Sequence, residues 1–599
     1  MTHRQTTSCA ARRSLMSVAI LAACAAAGTS YGATLTVDPS AIDQAIDTDG
    51  KCSLREAVMS VNAQANIGPC AADLTQAWGT QDTLKLPAGT YTLTLSGLDE
   101  SFLDPDPSGT SAPVVVNVGD ATKGDLDLSR SVRIEGAGAA STVVQWSSAD
   151  GVTRDRIFHV NADAGTVAVT LAGLTLTGGQ TLQQVIKTGP LSGSGDQATT
   201  YYLRRAGGAI AVGPAAAVVL VDPNVTGQAN SAGRGGSKKP TVTEETGATL
   251  SINLSGVVVT GNSAQGDGAG VYTAAAMTAS DLVVRNNSST TNGGGVYNEG
   301  NTSVSNATFS GNTAEGGGGF FGTGSNTVNF SGVTFSGNKA VGGGGISGRS
   351  GVTLRMVNST LSGNIGTDVG GGLYTNGAAD LRFVTIANNF AGADSSSAGS
   401  GINTFPSSNT HQVTLKNVLL ADNRKGYTVD PVLTPEQIAA LPSANCGSTS
   451  SSSSIVSQGH NLSSDTSCQT VLSAIGDLNN QVAQVAALSS NGGSTMTHAL
   501  LASSPALGAG IADPEVPLDQ RGNPRDAVPD IGAYELPAPV VTSATDDPAT
   551  SSDSGGGCTV NPNAGFDPGL PTLLMGALAL LLGRRRRKGT EATGDKRLS

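Results

Sequence analysis

The stretch "VVVTGNSAQGDGAGVY" at Val257–Tyr272 returns as "LVVRNNSSTTNGGGVY" at Leu282–Tyr297, "ATFSGNTAEGGGGFF" at Ala307–Phe321, "VTFSGNKAVGGGGIS" at Val333–Ser347 and "STLSGNIGTDVGGGLY" at Ser359–Tyr374, and "VTIANNFA" at Val384–Ala391 closes the series. One asparagine anchors each copy: Asn262, Asn287, Asn312, Asn338, Asn364 and Asn389, separated by 25, 25, 26, 26 and 25 residues. The period is too short for a propeller blade, and the β-branched residues alternate instead of following the 3.6-residue spacing of helical repeats. The chain therefore reads as all-β, a right-handed parallel β-helix in which each repeat is one rung. A single rung cannot bury its apolar face, whereas stacked rungs share a continuous core and pair every strand edge except the terminal ones.

Val271, Val296, Phe320, Ile346 and Leu373 follow the glycine runs and are expected to stack inward. The asparagine of each "GN" is expected in a turn, tolerant of the left-handed region and bonding its own backbone, with the glycine runs at corners where rungs approach closely. Tyr272, Tyr297, Phe321 and Tyr374 each come one residue after an inward aliphatic or aromatic position and are expected to point outward, in a strip interrupted by Ser347. Such a strip is a candidate ligand-binding face, since aromatic rings stack on sugars; packing of a cross-strand ladder is the alternative.

Upstream, "CSLREAVMSVNAQAN" at Cys52–Asn66 is the one clear helical segment, with Ser53 as N-cap and Glu56 completing a capping box. Leu54, Ala57, Val58 and Val61 share a face suited to covering the open end of a β-helix just before "DTLKLPAGTYTLTL" at Asp82–Leu95. Earlier rungs, "LAGLTLTGG" at Leu171–Gly179 and "GGAIAV" at Gly207–Val212, are interrupted by two excursions whose composition fits either binding loops or surface insertions.

The 80 glycines among 599 residues and the 13% of charged residues describe a turn-rich, weakly charged surface. A net charge of −12, with no basic stripe outside the extreme C-terminal tail, argues against a nucleic-acid partner. Arg4, Arg12 and Arg13 precede an apolar run from Leu15 to Ala27 and small residues up to Ala33, the layout of a secretory signal. Leu21-Ala22-Ala23-Cys24 admits a second reading, as a lipidation site on Cys24. Of seven cysteines, Cys9 and Cys24 lie in this leader; Cys52 with Cys70 and Cys446 with Cys468 form two local pairs suited to an oxidising compartment; Cys558 is left over.

The tail "GGGCTVNPNAGFDPGLPTLLMGALALLLGRRRRKG" at Gly555–Gly589 joins small residues, a lone cysteine, an apolar run and a basic block. The 14 apolar-run residues Leu570–Gly583 reach only about 20 Å, against a hydrocarbon layer of about 30 Å. Two readings follow: a temporary membrane handle, cut near Gly557 or Cys558 by a membrane-bound sorting protease, or a marginal anchor that is retained.

Carboxylates for glycan hydrolysis are placed economically at like positions of adjacent rungs. Asp267, Asp281, Glu299, Glu315, Asp368 and Asp380 do not repeat in that way. Asp519, Arg521, Arg525, Asp530 and Glu535 read either as a catalytic set or as an ion-pair and turn network closing the last rungs, and neither His460 nor His498 is accompanied by a Ser or Cys nucleophile in a recognisable elbow. Neither cysteine pair has zinc spacing with histidines; calcium at Asp-rich turns such as Asp104 and Asp106 would lack the nonapeptide repeat usual for it. No metal, cofactor or catalytic residue is expected.

"CSLREAV" at Cys52–Val58, "GHNLSSDTSC" at Gly459–Cys468, "NGGSTMTHALLASSPALGAG" at Asn491–Gly510, "DQRGNPR" at Asp519–Arg525 and "DIGAYE" at Asp530–Glu535 resemble the bacterial CSLREA and choice-of-anchor Q proteins. The resemblance spans most of Thr34–Glu535 and implies a pectin-lyase-like β-helix body with no agreed enzymatic activity. The tail Gly555, Gly556, Gly557 and Cys558 onward resembles GlyGly-CTERM sorting signals, nearest the Cys-containing JDVT-CTERM kind. The expected organisation is a signal peptide at 1–33, a cap at 34–80 and rungs at 81–445 with insertions near 180–206 and 231–249. C-terminal rungs and motif at 446–535, a spacer at 536–557 and a sorting signal at 558–599 follow. The expected role is a surface-displayed structural, adhesive or ligand-binding module for a glycan or surface protein, with a β-helix polysaccharide lyase or glycoside hydrolase as the alternative.

Overall fold

The computed structural model describes residues 32–537, except 46–47, 74–76, 80, 98–100, 104–113, 117–120, 163, 183, 190–198, 214–215, 222–246, 393–398, 406–410, 429–431 and 449–454. All of these lie in the compact unit that ends at Ala538. The leader with Cys24, the Asp104–Asp106 turn, nearly all of the second insertion, and the tail with Gly555, Gly556, Gly557 and Cys558 fall outside the described residues, and the first insertion is described only in part.

Successive repeats pair in parallel, one period apart. Val258–Thr260 pairs with Val283–Arg285, which pairs with Thr308–Ser310 and then Thr334–Ser336, on the first side of the coil. On the second side the order is Val271–Thr273, Val296–Asn298, Phe320–Gly322, Ile346–Gly348, Leu373–Thr375. Among the described residues the first side belongs to a 22-stranded sheet and the second to a ten-stranded one, with short strands such as Ser263–Ala264 and Ser288–Ser289 on the third side. The fold is a right-handed parallel β-helix, as the period requires. Val271, Val296, Phe320, Ile346 and Leu373 are at most 2% exposed, and Val259, Val284, Phe309, Phe335, Leu361 and Ile386 line the core from the opposite side. Phe309 stacks on Phe335 at 4.6 Å, and Phe330 meets Phe335 edge-on at 5.2 Å, a favoured arrangement of ring quadrupoles.

The ladder asparagines correct the turn expectation. They do not occupy the left-handed region; the residue before each does, Gly261 at φ +67, Asn286 at +54, Gly311 at +63, Gly337 at +62, Gly363 at +65 and Asn388 at +57. That residue turns the chain and aims the next side chain inward. There the Asn287 N–H and Nδ2 both donate to Asn312 Oδ1, at 3.1 and 3.0 Å, while Nδ2 also donates to Val259 O at 3.1 Å. The same pattern runs through Asn338, Asn364 and Asn389 and continues, past breaks in the period, to Asn423 and Asn445. A neutral amide both donates and accepts, so one buried side chain satisfies its neighbours on both rungs.

At the N-terminal end the helix Leu54–Ala63 has the expected Ser53 N-cap and capping box, and Leu54, Ala57, Val58 and Val61 are buried. Cys52 is bridged to Cys70, and Cys446 to Cys468. Arg55 is fully buried. Its guanidinium donates to Asp43 Oδ1 at 2.8 Å and to the carbonyls of Ala121 and Gly124 at 2.9 Å, which fastens the cap to the first complete rungs. A second helix, Pro435–Ala440, was not anticipated; it is a six-residue surface turn with no buried residue. No helix among the described residues is long and apolar enough to cross a membrane.

Beyond the last strand, Leu478–Asn479, the chain does not simply close the end. It runs back as a strap over the outer side of the first sheet. Gln520 Nε2 donates to Thr334 Oγ1 at 2.9 Å across 186 residues of sequence, Thr360 Oγ1 donates to Gln520 Oε1 at 2.6 Å, and Asn358 Nδ2 donates to Leu518 O at 2.8 Å.

Candidate functional site

The strap leaves a groove of about 480 Å³ along its flank, on the outer face of the first sheet. Register places Ser303, Asn329, Arg355, Asp380 and Thr414 in one column, each one rung beyond the last. A parallel column holds Ser305, Ser331, Val357, Arg382 and Lys416. Because strand residues alternate faces, these positions point outward while Val304, Phe330, Met356 and Leu381 between them fill the core. The strap supplies Glu515 and Val516 as a wall.

Arg382 is the hub. It bonds Asp380 at 3.0 Å and Glu515 at 2.8 Å, and lies 3.5 Å from Asp513. Lys416 bonds Asp513 at 3.1 Å. Chiefly through the Asp380 hydrogen bond, the guanidinium is held above its ordinary range. Burial would raise the Asp513 carboxyl, but the Lys416 hydrogen bond, the Glu515 N–H and the nearby cations outweigh it and the net shift is downward. Asp380 and Glu515 are thus both engaged by one guanidinium. Arg355, in contrast, is exposed and has no hydrogen bond or ion pair among the described residues.

The aromatic strip is corrected by its burial. Tyr272, Tyr297 and Phe321 are 8%, 9% and 3% exposed. Tyr272 stacks on Tyr297 at 5.4 Å and Tyr297 on Phe321 at 5.3 Å, while Ala206 and Ala211 complete the cluster and the Arg349 guanidinium lies 5.3 Å over Phe321. The ring faces are spent on one another and on the groups at the two ends of the stack, so no open platform is left for a sugar. Tyr374 lies beyond Ser347, half-buried and outside that stack. The Tyr297 hydroxyl donates to Glu299 at 3.0 Å, and its ionisation is pushed far up, first by burial and then by Asp267 and Glu299.

The C-terminal charged set belongs to the strap and is largely buried where the strap meets the coil. Arg525 bonds Glu535 at 3.0 Å and Asn358 Oδ1 at 2.9 Å, and its guanidinium lies 3.9 Å over the Phe383 ring. Arg521 bonds Asp519 at 2.8 Å. Burial raises the Asp530 and Glu535 carboxyls and lowers Arg525. His460 Nδ1 meets Ala509 O at 2.8 Å. His498 has a partner that the sequence order hides, Ser362 Oγ at 2.9 Å from Nε2, while Nδ1 donates to Ala486 O at 2.7 Å. Histidine and serine are 2% and 5% exposed, so the pair is a packing contact closed to substrate.

Near the N-terminal cap, Asp125, Asp127 and His159 offer ligand atoms within 4.8 Å of one another, all buried. Arg156 Nε sits 2.7 Å from Asp125 Oδ2, and His159 Nδ1 lies 3.3 Å from Asp127 Oδ1. The positive charge beside these carboxylates therefore comes from the chain itself.

No family model and no curated protein matches the chain. Among solved structures it is similar to pectate lyase Pel9A, at 12% identity and a TM-score of 0.37, covering 85% of this chain and 97% of that one. It is also similar to the A-module of the Azotobacter vinelandii mannuronan C-5 epimerase AlgE6, at 14% identity and a TM-score of 0.28, covering 74% and 94%. Both likenesses concern the β-helix coil alone and carry no argument about activity.

Proposed function

We propose that the chain is an exported bacterial β-helix displayed at the cell surface, where the groove beside the strap binds a hydroxyl-rich ligand such as a glycan. The groove itself carries this reading: a row of serine, asparagine, arginine and aspartate at rung spacing, open on one side and walled by Glu515 and Val516. The secretory layout of the N-terminus, two disulfides and the resemblance to CSLREA and choice-of-anchor Q proteins support export. The tail then acts as a temporary handle: the apolar run stalls in the membrane, a sorting protease cuts near Gly557 or Cys558, and the new end is released or joined to an envelope component. A glycan and surface-protein binding screen with the exported body tests the groove; binding that Asn329→Trp abolishes is expected. Turnover of a polysaccharide, lost on replacing one carboxylate, would overturn the binding role in favour of an enzyme. Intact-mass analysis tests the tail, and a mature C-terminus that retains Arg584–Arg587 would overturn processing.

A further inference from the structure

We propose that the groove receives an anionic group, a carboxylate or a sulfate carried on its polymeric ligand, at Arg355. The inference rests on the groove reading above and names the chemistry at its centre.

The charges in the groove fall into two sets. Asp380, Arg382 and Glu515, with Lys416 and Asp513 behind them, compensate one another through ion pairs of 2.8 to 3.1 Å. Arg355 stands outside that set. It is one rung from Asp380 in the same column, yet no ion pair joins the two. On the side away from Asp380 its column neighbours are Asn329 and, beyond it, Ser303, both uncharged. A planar guanidinium with five donors matches a carboxylate or sulfate in bidentate fashion, which an ammonium does not. Adjacent rungs are about 4.8 Å apart, so an extended polymer lying along the coil axis would meet a hydroxyl, an amide and the guanidinium in turn. The remainder of the protein is acidic, at a formal net charge of −12. An anion therefore gains nothing from the overall field and must be held by a local contact.

Three polymers with one backbone provide the probes: dextran, carboxymethyl-dextran and dextran sulfate, with binding to the exported protein measured at low and high salt. Either charged form is expected to bind at least tenfold more tightly than dextran, to weaken at high salt, and to lose about tenfold in Arg355→Ala, with Arg355→Lys recovering only part. The preferred charged form tells carboxylate from sulfate. Arg285→Ala is the control, since Arg285 is exposed on the same sheet without lining the groove and its loss changes net charge equally. An equal loss in Arg285→Ala would overturn the site. Binding of plain dextran that Asn329→Trp blocks and Arg355→Ala leaves unchanged would overturn the anion contact while leaving the groove. Absence of binding by all three polymers would overturn the anion site, and the broader screen then decides the groove separately.

Discussion

The repeated rungs and the strap solve one problem in opposite ways. In the rungs, buried polar groups find partners 25 or 26 residues away, and those partners are neutral amides copied from turn to turn. In the strap, side chains reach partners 94 to 186 residues away on the coil, and the buried charges are paired within the strap itself, Arg525 with Glu535 10 residues on. The difference follows from what stacks on itself. An amide donates upward and accepts downward, so a column of them extends indefinitely, whereas like charges opposed on neighbouring strands repel. Buried ions therefore enter where the chain has left the repeat and each can be given its own opposite partner.

The sharpest way to break the comparison is Arg525→Ala. It would leave Glu535 buried without its cation and remove the cover from Phe383, and a loss of about 3 to 5 kcal/mol is expected, seen as a lower denaturant midpoint and rapid proteolysis within 480–537. If the rungs unfold at the same lowered midpoint, strap and coil are one cooperative unit; if only the strap becomes cleavable, they are two.

Asn338→Ala attacks the other half. It removes the acceptor of the Asn312 N–H and Nδ2 and the donor to Phe309 O, and should cost about 2 to 3 kcal/mol in denaturant unfolding. A cost no larger than that of an exposed substitution would remove the ladder from the account of stability.

Tyr297→Phe keeps the ring stack and deletes only the hydroxyl bonded to Glu299, so about 1 kcal/mol is expected from thermal unfolding. A much larger loss would mean that the hydroxyl, and not the stacked rings, anchors this face.

The smallest effect is expected from pH. Burial holds His498 neutral, its pKa depressed below the ordinary 6.5. Between that depressed value and 6.5 the unfolded chain binds the proton and the folded one does not, so stability falls as pH drops below about 6.5. Unfolding midpoints at pH 7.5 and 5 should differ less in His498→Gln than in the parent; an unchanged difference would discard the histidine as the cause.

Several of these contacts are legible once the coil is known. Gly256, Asp281, Asn306, Gly332, Asn358 and Asn417 take the left-handed conformation at equivalent places in successive rungs, and Phe383 takes it too, at φ +53, although bulky residues rarely do. A phenylalanine in a column of glycine, aspartate and asparagine signals an outside partner, here the Arg525 guanidinium. The motif Cys52–Ala57 was half legible: the N-cap and capping box follow local rules, but Arg55 bonds Asp43, Ala121 and Gly124, which only folding brings to it. Asn423 and Asn445 were missed because the steps to them, 34 and 22 residues, depart from the 25- or 26-residue period in opposite directions.

By itself the sequence determined the coil. A period of 25 or 26 with alternating β-branched residues specifies rung length, inward columns and the glycine corners, because those depend on neighbours one turn away whose spacing is written in the chain. The tertiary structure alone decided which outward positions are surface. Tyr272 and Tyr297 point away from the core and are buried by one another, while Arg355, no different in its strand from Arg382, stays unpaired because Glu515 and Asp513 of the strap reach Arg382 and not it. Alternation sets the side of the sheet to which a residue points; what covers that side comes from neighbouring rungs, as at Tyr272, or from strap residues more than a hundred positions away, as at Arg382, and alternation encodes neither.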